Sequence, residues 1–144
     1  MRRWRTSSPA ETRQLGEELL PELLPEGTLL LLGDLAAGKT VLAQGVAAGL
    51  GIDPAEVQSP TYTLVREHQG PRGRLLHLDL YRLEPAEAAA LGLEELLAAP
   101  AIKVVEWAER LPLSVPDALV LQLRGDGEER EIRQLIGWPA EAIA

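Results

Sequence analysis

Gly33-Asp34-Leu35-Ala36-Ala37-Gly38-Lys39-Thr40 matches the spacing G-x-x-x-x-G-K-[ST] in full, and few backbone paths satisfy it. Glycines at both ends let the chain curl until successive backbone N–H groups face one point, a concavity suited to an anion. The flanks agree. Residues 28–32, Thr-Leu-Leu-Leu-Leu, are a short apolar run that fits a strand buried on both faces, although leucine alone also suits a helix. Beyond the loop, Val41, Leu42, Val46 and Leu50 recur at helical spacing until Gly49-Leu50-Gly51 closes the element. The expected order is strand, glycine loop, helix. At ordinary glycine usage the bare pattern arises by chance in roughly 0.5% of chains this long, so the flanking elements weigh against a plain glycine turn with a surface lysine. The loop N–H groups and the positive helix end are expected to surround phosphate oxygens, with Lys39 neutralising the β/γ-phosphates and Thr40 Oγ1 on Mg2+.

The remaining pattern supplies a sheet for this unit. Ser8-Pro9-Ala10-Glu11 carries a helix start: serine as cap, proline at the first helical position, and glutamate three residues after the cap to return the hydrogen bond. Leu15, Leu19, Leu20 and Leu23 continue at helical spacing until Pro25-Glu26-Gly27. Residues 61–65, Thr-Tyr-Thr-Leu-Val, follow Ser59-Pro60 and suit a strand. Residues 75–81 alternate, placing Leu76, Leu78 and Leu80 on one face and His77, Asp79 and Tyr81 on the other, so polar side chains are expected to line one surface. Gly70-Pro71-Arg72-Gly73 suggests that these two segments form a hairpin. Residues 85–97 read as helix broken at Gly92, and 101–105 as another buried strand. Residues 118–123 and 130–136 flank Gly125-Asp126-Gly127 as a second hairpin. The fold class expected is α/β: a single-domain mixed β-sheet of P-loop NTPase type flanked by helices, spanning 1–144 with its core at about 8–136.

Two carboxylates are placed to complete a metal site. Asp79 closes an apolar strand, the position from which a Walker B-like residue holds or orients Mg2+. Glu106 ends the strand at 102–105, and if that strand runs parallel to the first, its carboxylate opens on the same edge as the phosphate loop. There it can contact the metal or orient the attacking water, while a capping or surface role is the open alternative. Arg82 can supply a second positive charge beside Lys39, or be a solvated arginine past a strand end.

Composition narrows the function classes. With no cysteine, a disulfide framework, a thiolate nucleophile and cysteine-ligated zinc are excluded, and two histidines do not suggest a histidine-rich metal site. A formal charge of -8 argues against a surface that grips nucleic acid by itself. Met1-Arg2-Arg3-Trp4-Arg5 starts like a signal peptide, but Thr6-Ser7-Ser8-Pro9 stands where its apolar stretch belongs. The longest apolar run falls far short of the ~18 residues of a membrane span, so a cytoplasmic protein without a membrane role is expected.

The glycine loop, Ser59-Pro60-Thr61-Tyr62-Thr63-Leu64-Val65, His77-x-Asp79-Leu80-Tyr81-Arg82 and Glu106-Trp107, in this order and spacing, resemble the TsaE (YjeE) family from about residue 8 to about 136. Many NTPases share the first block, and few share the other three. The resemblance implies a small P-loop ATPase needed for bacterial threonylcarbamoyladenosine synthesis in tRNA, acting with the TsaD transferase and its paralogue TsaB and meeting tRNA only through that complex. It implies that Gly33, Asp34, Leu35, Ala36, Ala37, Gly38, Lys39, Thr40 and Val41 bind ATP, with Thr40 and Glu106 on Mg2+ and Asp79 supporting the metal or water. By the same resemblance Ser59, Pro60 and Thr61 act as a nucleotide-sensing switch, Trp107 sits beside the site, and the start of the first helix and Arg130 reach the nucleotide.

Two positions depart from the family pattern. Ala36 stands where glycine is usual, which strains the loop or alters its turn if that position needs a positive φ. Val41 replaces a second threonine and loses a hydroxyl next to the metal ligand. Weak turnover alone, with a site completed in the complex, is expected. Among competing functions, a guanine-specific switch needs an Asn-Lys-x-Asp base reader, and the chain has no asparagine. A small-molecule kinase of P-loop type shares the loop but needs an acceptor pocket and an arginine-bearing lid. A nucleotide-gated binding module, in which ATP sets the conformation of residues 59–65 and hydrolysis only resets it, overlaps the family reading.

Overall fold

A computed structural model describes residues 2–34, 38–58 and 65–137 of the chain. The elements are β1 (Arg3–Thr6), α1 (Pro9–Leu23), β2 (Thr28–Gly33), α2 (Lys39–Gly49), β3 (Val65–Gly70), β4 (Gly73–Asp79), α3 (Pro85–Leu91), α4 (Leu93–Leu97), β5 (Ile102–Glu106), β6 (Leu119–Asp126) and β7 (Glu129–Ile136). Short 3-10 turns occupy Pro54–Glu56 and Ala108–Arg110. The strands form one mixed sheet in the order β1-β7-β6-β2-β5-β4-β3. Its centre, β6, β2, β5 and β4, is parallel. Antiparallel strands extend both sides, β3 against β4 and β7 against β6, with β1 on β7.

Helices cover both faces of the parallel strands, which is why β2 and β5 read as unbroken apolar runs. Leu29, Leu31, Leu75, Val104 and Leu121 pack with α1 and α2 on one side. Leu30, Leu76, Leu78, Val105 and Val120 pack on the other with Leu93 of α4 and the partly buried Leu91, Leu96 and Leu97. The helical break at 92 is as expected, with Gly92 in the left-handed region at φ 68°.

Local chemistry fixes the ends of α1. Ser8 Oγ accepts from Glu11 N at 3.2 Å, but the Glu11 carboxylate returns the bond to Ser7 N, at 3.0 Å, rather than to the cap residue itself. The helix stops at Leu23, before the Pro25-Glu26-Gly27 stop. Leu24 is extended, as steric conflict with the following Pro25 favours.

Glycine decides how closely α1 and α2 approach. A Cβ on Gly45 would lie 1.9 Å from Arg13 O, and one on Gly16 would lie 2.4 Å from Leu42 O. The obstruction is backbone, so no rotamer relieves it. Gly45→Ala is expected to cost about 3 kcal/mol, or about 10 °C in melting temperature. Thermal unfolding checks this, and a shift below about 2 °C would mean that the helices part freely.

The expected hairpin is present: Val65–Gly70 pairs with β4 and turns at the Gly70 to Gly73 pairing, while residues 61–64 lie outside the described residues. Two expectations change. The polar face of β4 is not a surface: Leu75 on that face packs in the core cluster with α1 and α2, and His77 and Asp79 are buried, with only Tyr81 exposed. The basic N-terminus forms edge strand β1, whose signal is masked by its alternating arginines.

Candidate active site

Three parallel strands deliver their last residues to one edge. Gly33 closes β2, Asp79 closes β4 and Glu106 closes β5, with Asp79 directly opposite Glu106 and Glu106 opposite Leu31. The parallel orientation on which the placement of Glu106 depends is therefore present. The first turn of α2 begins at this edge. Its cap, Gly38, is left-handed at φ 90° and offers no side chain to the helix N–H groups, so they are available to an anion.

Lys39 spans the mouth of the loop. Its Nζ donates to Gly33 O at 2.5 Å and to Asp34 O at 2.7 Å, and lies 4.1 Å from the ring centroid of Trp107. Its side chain is buried, and burial pushes the ammonium below the usual lysine range while Glu109, Glu106, Asp79 and Asp34 pull it back up. Trp107 is the one non-glycine residue with a positive φ, 58°, among the described residues. That backbone costs of order 1–3 kcal/mol and turns the indole over Lys39 and against Tyr81, with ring centroids 4.8 Å apart.

Glu106, only 3% exposed, is the hub. Thr40 Oγ1 lies 2.9 Å from its Oε1 and 3.0 Å from its Oε2 and donates to the carboxylate. Asp79 Oδ1 accepts from Tyr81 N at 2.9 Å. Gly33 N donates to Glu109 Oε2 at 3.0 Å. Four carboxylates, Asp34, Asp79, Glu106 and Glu109, thus bear on one ammonium, an imbalance that a divalent cation offsets.

The donor set suits Mg2+. Hydroxyl and carboxylate oxygens are hard ligands, the kind Mg2+ takes. Mg2+ bound by one or two protein oxygens keeps waters and takes phosphate oxygens for the rest. Thr40 and Glu106 are the residues that would hold it.

Arg130, although remote in sequence, lies against the start of α2. A Cβ on Gly38 would come 3.1 Å from its Nε, while its Nη1 donates to Gly127 O and Glu129 O at 2.6 and 2.7 Å. At the start of α1, Thr12 Oγ1 is hydrogen-bonded to Thr6 Oγ1 at 2.7 Å and to Ser8 O at 3.3 Å. Val41 sits in the first turn of α2, and Arg82 is exposed past the end of β4. Leu35, Ala36 and Ala37 of the loop, and the switch residues Ser59, Pro60 and Thr61, lie outside the described residues.

Two neighbours of the site are given no role by the motif reading. Glu109 carries no motif, and its contact with Gly33 spans 76 positions. His77 is visible as a polar interruption in an apolar strand, two residues before Asp79 and so on the same face; a buried imidazole needs a partner, and that is the signal that points to it.

Comparison with known proteins agrees with this geometry. The family model for TsaE, described as threonylcarbamoyl adenosine biosynthesis protein, matches residues 6–134. The chain is 38% identical over 133 residues to the tRNA threonylcarbamoyladenosine biosynthesis protein TsaE of Bacillus subtilis, covering 90% of this chain and 82% of that one. It is 46% identical over 118 residues to the protein of that name from a Nostoc species, covering 77% and 70%. The crystal structure of Bacillus subtilis YdiB superposes with a TM-score of 0.69 at 33% identity, covering 92% of this chain and 83% of that one. The matched span takes in β2, its glycine loop, Asp79 and Glu106, and the chain belongs to the TsaE family.

Proposed function

We propose that this chain is the ATP-binding and ATP-hydrolysing subunit required for threonylcarbamoyladenosine modification of tRNA, working in the cytoplasm with TsaD and TsaB and gating or resetting their complex. The observation that carries the reading is the convergence of Lys39, Thr40, Asp79 and Glu106 on one sheet edge at an uncapped helix N-terminus. Phosphoryl transfer to water asks for little covalent chemistry from a protein and much positioning and charge stabilisation. In this role the loop from Gly33 to Val41 cradles the phosphates, Lys39 offers its ammonium to the β/γ-phosphates, and Arg130 reaches the nucleotide from β7. Mg2+, when bound, neutralises charge across the β- and γ-phosphates. Thr40 and Glu106 would hold the cation, Asp79 would support that arrangement or orient the attacking water, and residues 59–61 would report nucleotide state to the partners.

Burial of Asp79 and Glu106 side by side supports a site that excludes water and concentrates its electrostatics. Arg82, the candidate for a second positive charge, is exposed past the end of β4, which supports slow turnover alone. Phosphate release from Mg·ATP should therefore be slow for the isolated chain and rise at least about tenfold, ~1.4 kcal/mol, when TsaD and TsaB are added. No stimulation with ATP still bound would sink the partner-activated reading, and phosphorylation of a small acceptor in place of phosphate release would substitute a kinase. No helix among the described residues is long and apolar enough to cross a membrane.

A further inference from the structure

His77 has no part in the chemistry above, yet it is the most completely buried polar side chain at the site, at 0% exposure. On β4 it stands opposite Val104 of β5, so Glu106, two residues further along, is its diagonal neighbour on the same face. Its Nε2 lies 2.5 Å from Glu106 Oε2, within the network that includes Thr40 Oγ1. An ionised carboxylate only accepts, so the proton of this bond belongs to Nε2. Nδ1 is buried with no hydrogen-bond partner among the described residues, so the contact with Glu106 is the side-chain hydrogen bond that orients the ring.

We infer that His77 is a positioning residue for the cation site: its Nε2–H ties down Oε2 of Glu106 and leaves Oε1, 2.9 Å from Thr40 Oγ1, as the oxygen presented jointly with that hydroxyl. The inference rests on the nucleotide reading of the preceding subsection and adds a residue to it. Asp79 stands directly across from Glu106 in the register, and two neighbouring carboxylates repel. An N–H donor two residues back on the same strand as Asp79 offsets that repulsion and holds Glu106 in place without competing for the metal. Histidine and glutamine can both place an N–H at this distance from Cα, whereas leucine cannot donate and asparagine is too short.

The test is calorimetric binding of ADP to the full chain, in EDTA and across a Mg2+ titration, for wild type, His77→Leu, His77→Gln and His77→Asn, with Glu106→Gln as a second background. Loss of an outer hydrogen bond of this kind costs about 10–100-fold in metal affinity. His77→Leu should weaken the Mg2+ dependence by that factor while ADP binding in EDTA stays within about twofold of wild type, ~0.4 kcal/mol. His77→Gln should restore most of the loss, and His77→Asn should not. In the Glu106→Gln background, His77→Leu should add much less than in wild type, because its effect passes through the charged oxygens of Glu106. An unchanged Mg2+ dependence in His77→Leu, equal behaviour of the glutamine and asparagine variants, or a full additional loss in the Glu106→Gln background would each overturn the inference. Should the leucine variant fail to fold, the glutamine and asparagine pair still decides. Wild-type protein that binds no ADP under any condition would instead overturn the nucleotide reading, and this one with it.

Discussion

Lys39→Ala is expected to weaken ATP binding about 100-fold and to lower turnover by about 10²–10³ beyond that, because one preorganised charged donor at a developing negative charge contributes about 2.7–4 kcal/mol. The ammonium is already inside the site before any nucleotide arrives, held by Gly33 O and Asp34 O and flanked by the face of Trp107. Much of its side-chain ordering cost is therefore met in folding. Removing it also leaves Glu109, Glu106, Asp79 and Asp34 with no ammonium among them, so the phosphates would meet an unrelieved negative field. Isothermal titration with ATP and a single-turnover phosphate assay read the two effects separately. A loss below about fivefold, or ~1 kcal/mol, in both would show that the helix N-terminus alone carries the phosphates.

Glu106→Gln separates binding from chemistry. The amide keeps the shape of the side chain and can still accept from Thr40 Oγ1 or His77 Nε2, so the network described around Glu106 is only partly lost. What disappears is one full negative charge at the cation position. Turnover is expected to fall about 10²–10³, the scale of several kcal/mol that a bound cation contributes to stabilising transferred charge. Metal-free nucleotide binding is expected to hold or tighten, since a carboxylate that repels phosphate has been neutralised. In a reconstituted modification assay, an essential hydrolysis step predicts loss of modified tRNA, and pure gating predicts its persistence. Turnover within tenfold of wild type, ~1.4 kcal/mol, would remove Glu106 from the chemistry and leave Asp79 as the carboxylate to test.

The two variants differ in what they leave behind. Lysine removal deprives the site of its only buried cation among Lys39, Thr40, Asp79 and Glu106, while glutamine substitution relieves a pair of carboxylates that face each other in register. Opposite signs in metal-free ATP affinity are therefore expected. Agreement in sign would mean that one of them acts through the fold, which a melting curve for each variant would reveal.

Elements whose cause is local are legible in the order of the residues. The strand, glycine loop and helix around Lys39 follow from apolar run, spacing and periodicity within about 25 neighbouring residues. The Ser8 cap, the break at Gly92 and both hairpin turns are of the same kind, each set by one or two residues acting on their own backbone. The candidacy of Lys39, Thr40, Asp79 and Glu106 comes from motif spacing and from where strands end. Local patterning fails where two local signals coincide, as in β1, whose arginines hide a strand.

The amino-acid sequence by itself determined that a phosphate-binding loop sits between a buried strand and a helix, and that two carboxylates end neighbouring apolar runs. The tertiary structure alone decided that β5 lies between β2 and β4, which brings Glu106 to Thr40 and to His77, 66 and 29 positions away. It also decided that Glu109 caps Gly33, that Arg130 leans on Gly38, and that Gly16 and Gly45 let α1 and α2 touch backbone to backbone. The physical reason is that strand order and helix crossing are set by burying both faces of the sheet at once, a sum over distant residues. Periodicity reports which side of an element is apolar and says nothing of the element that will cover it.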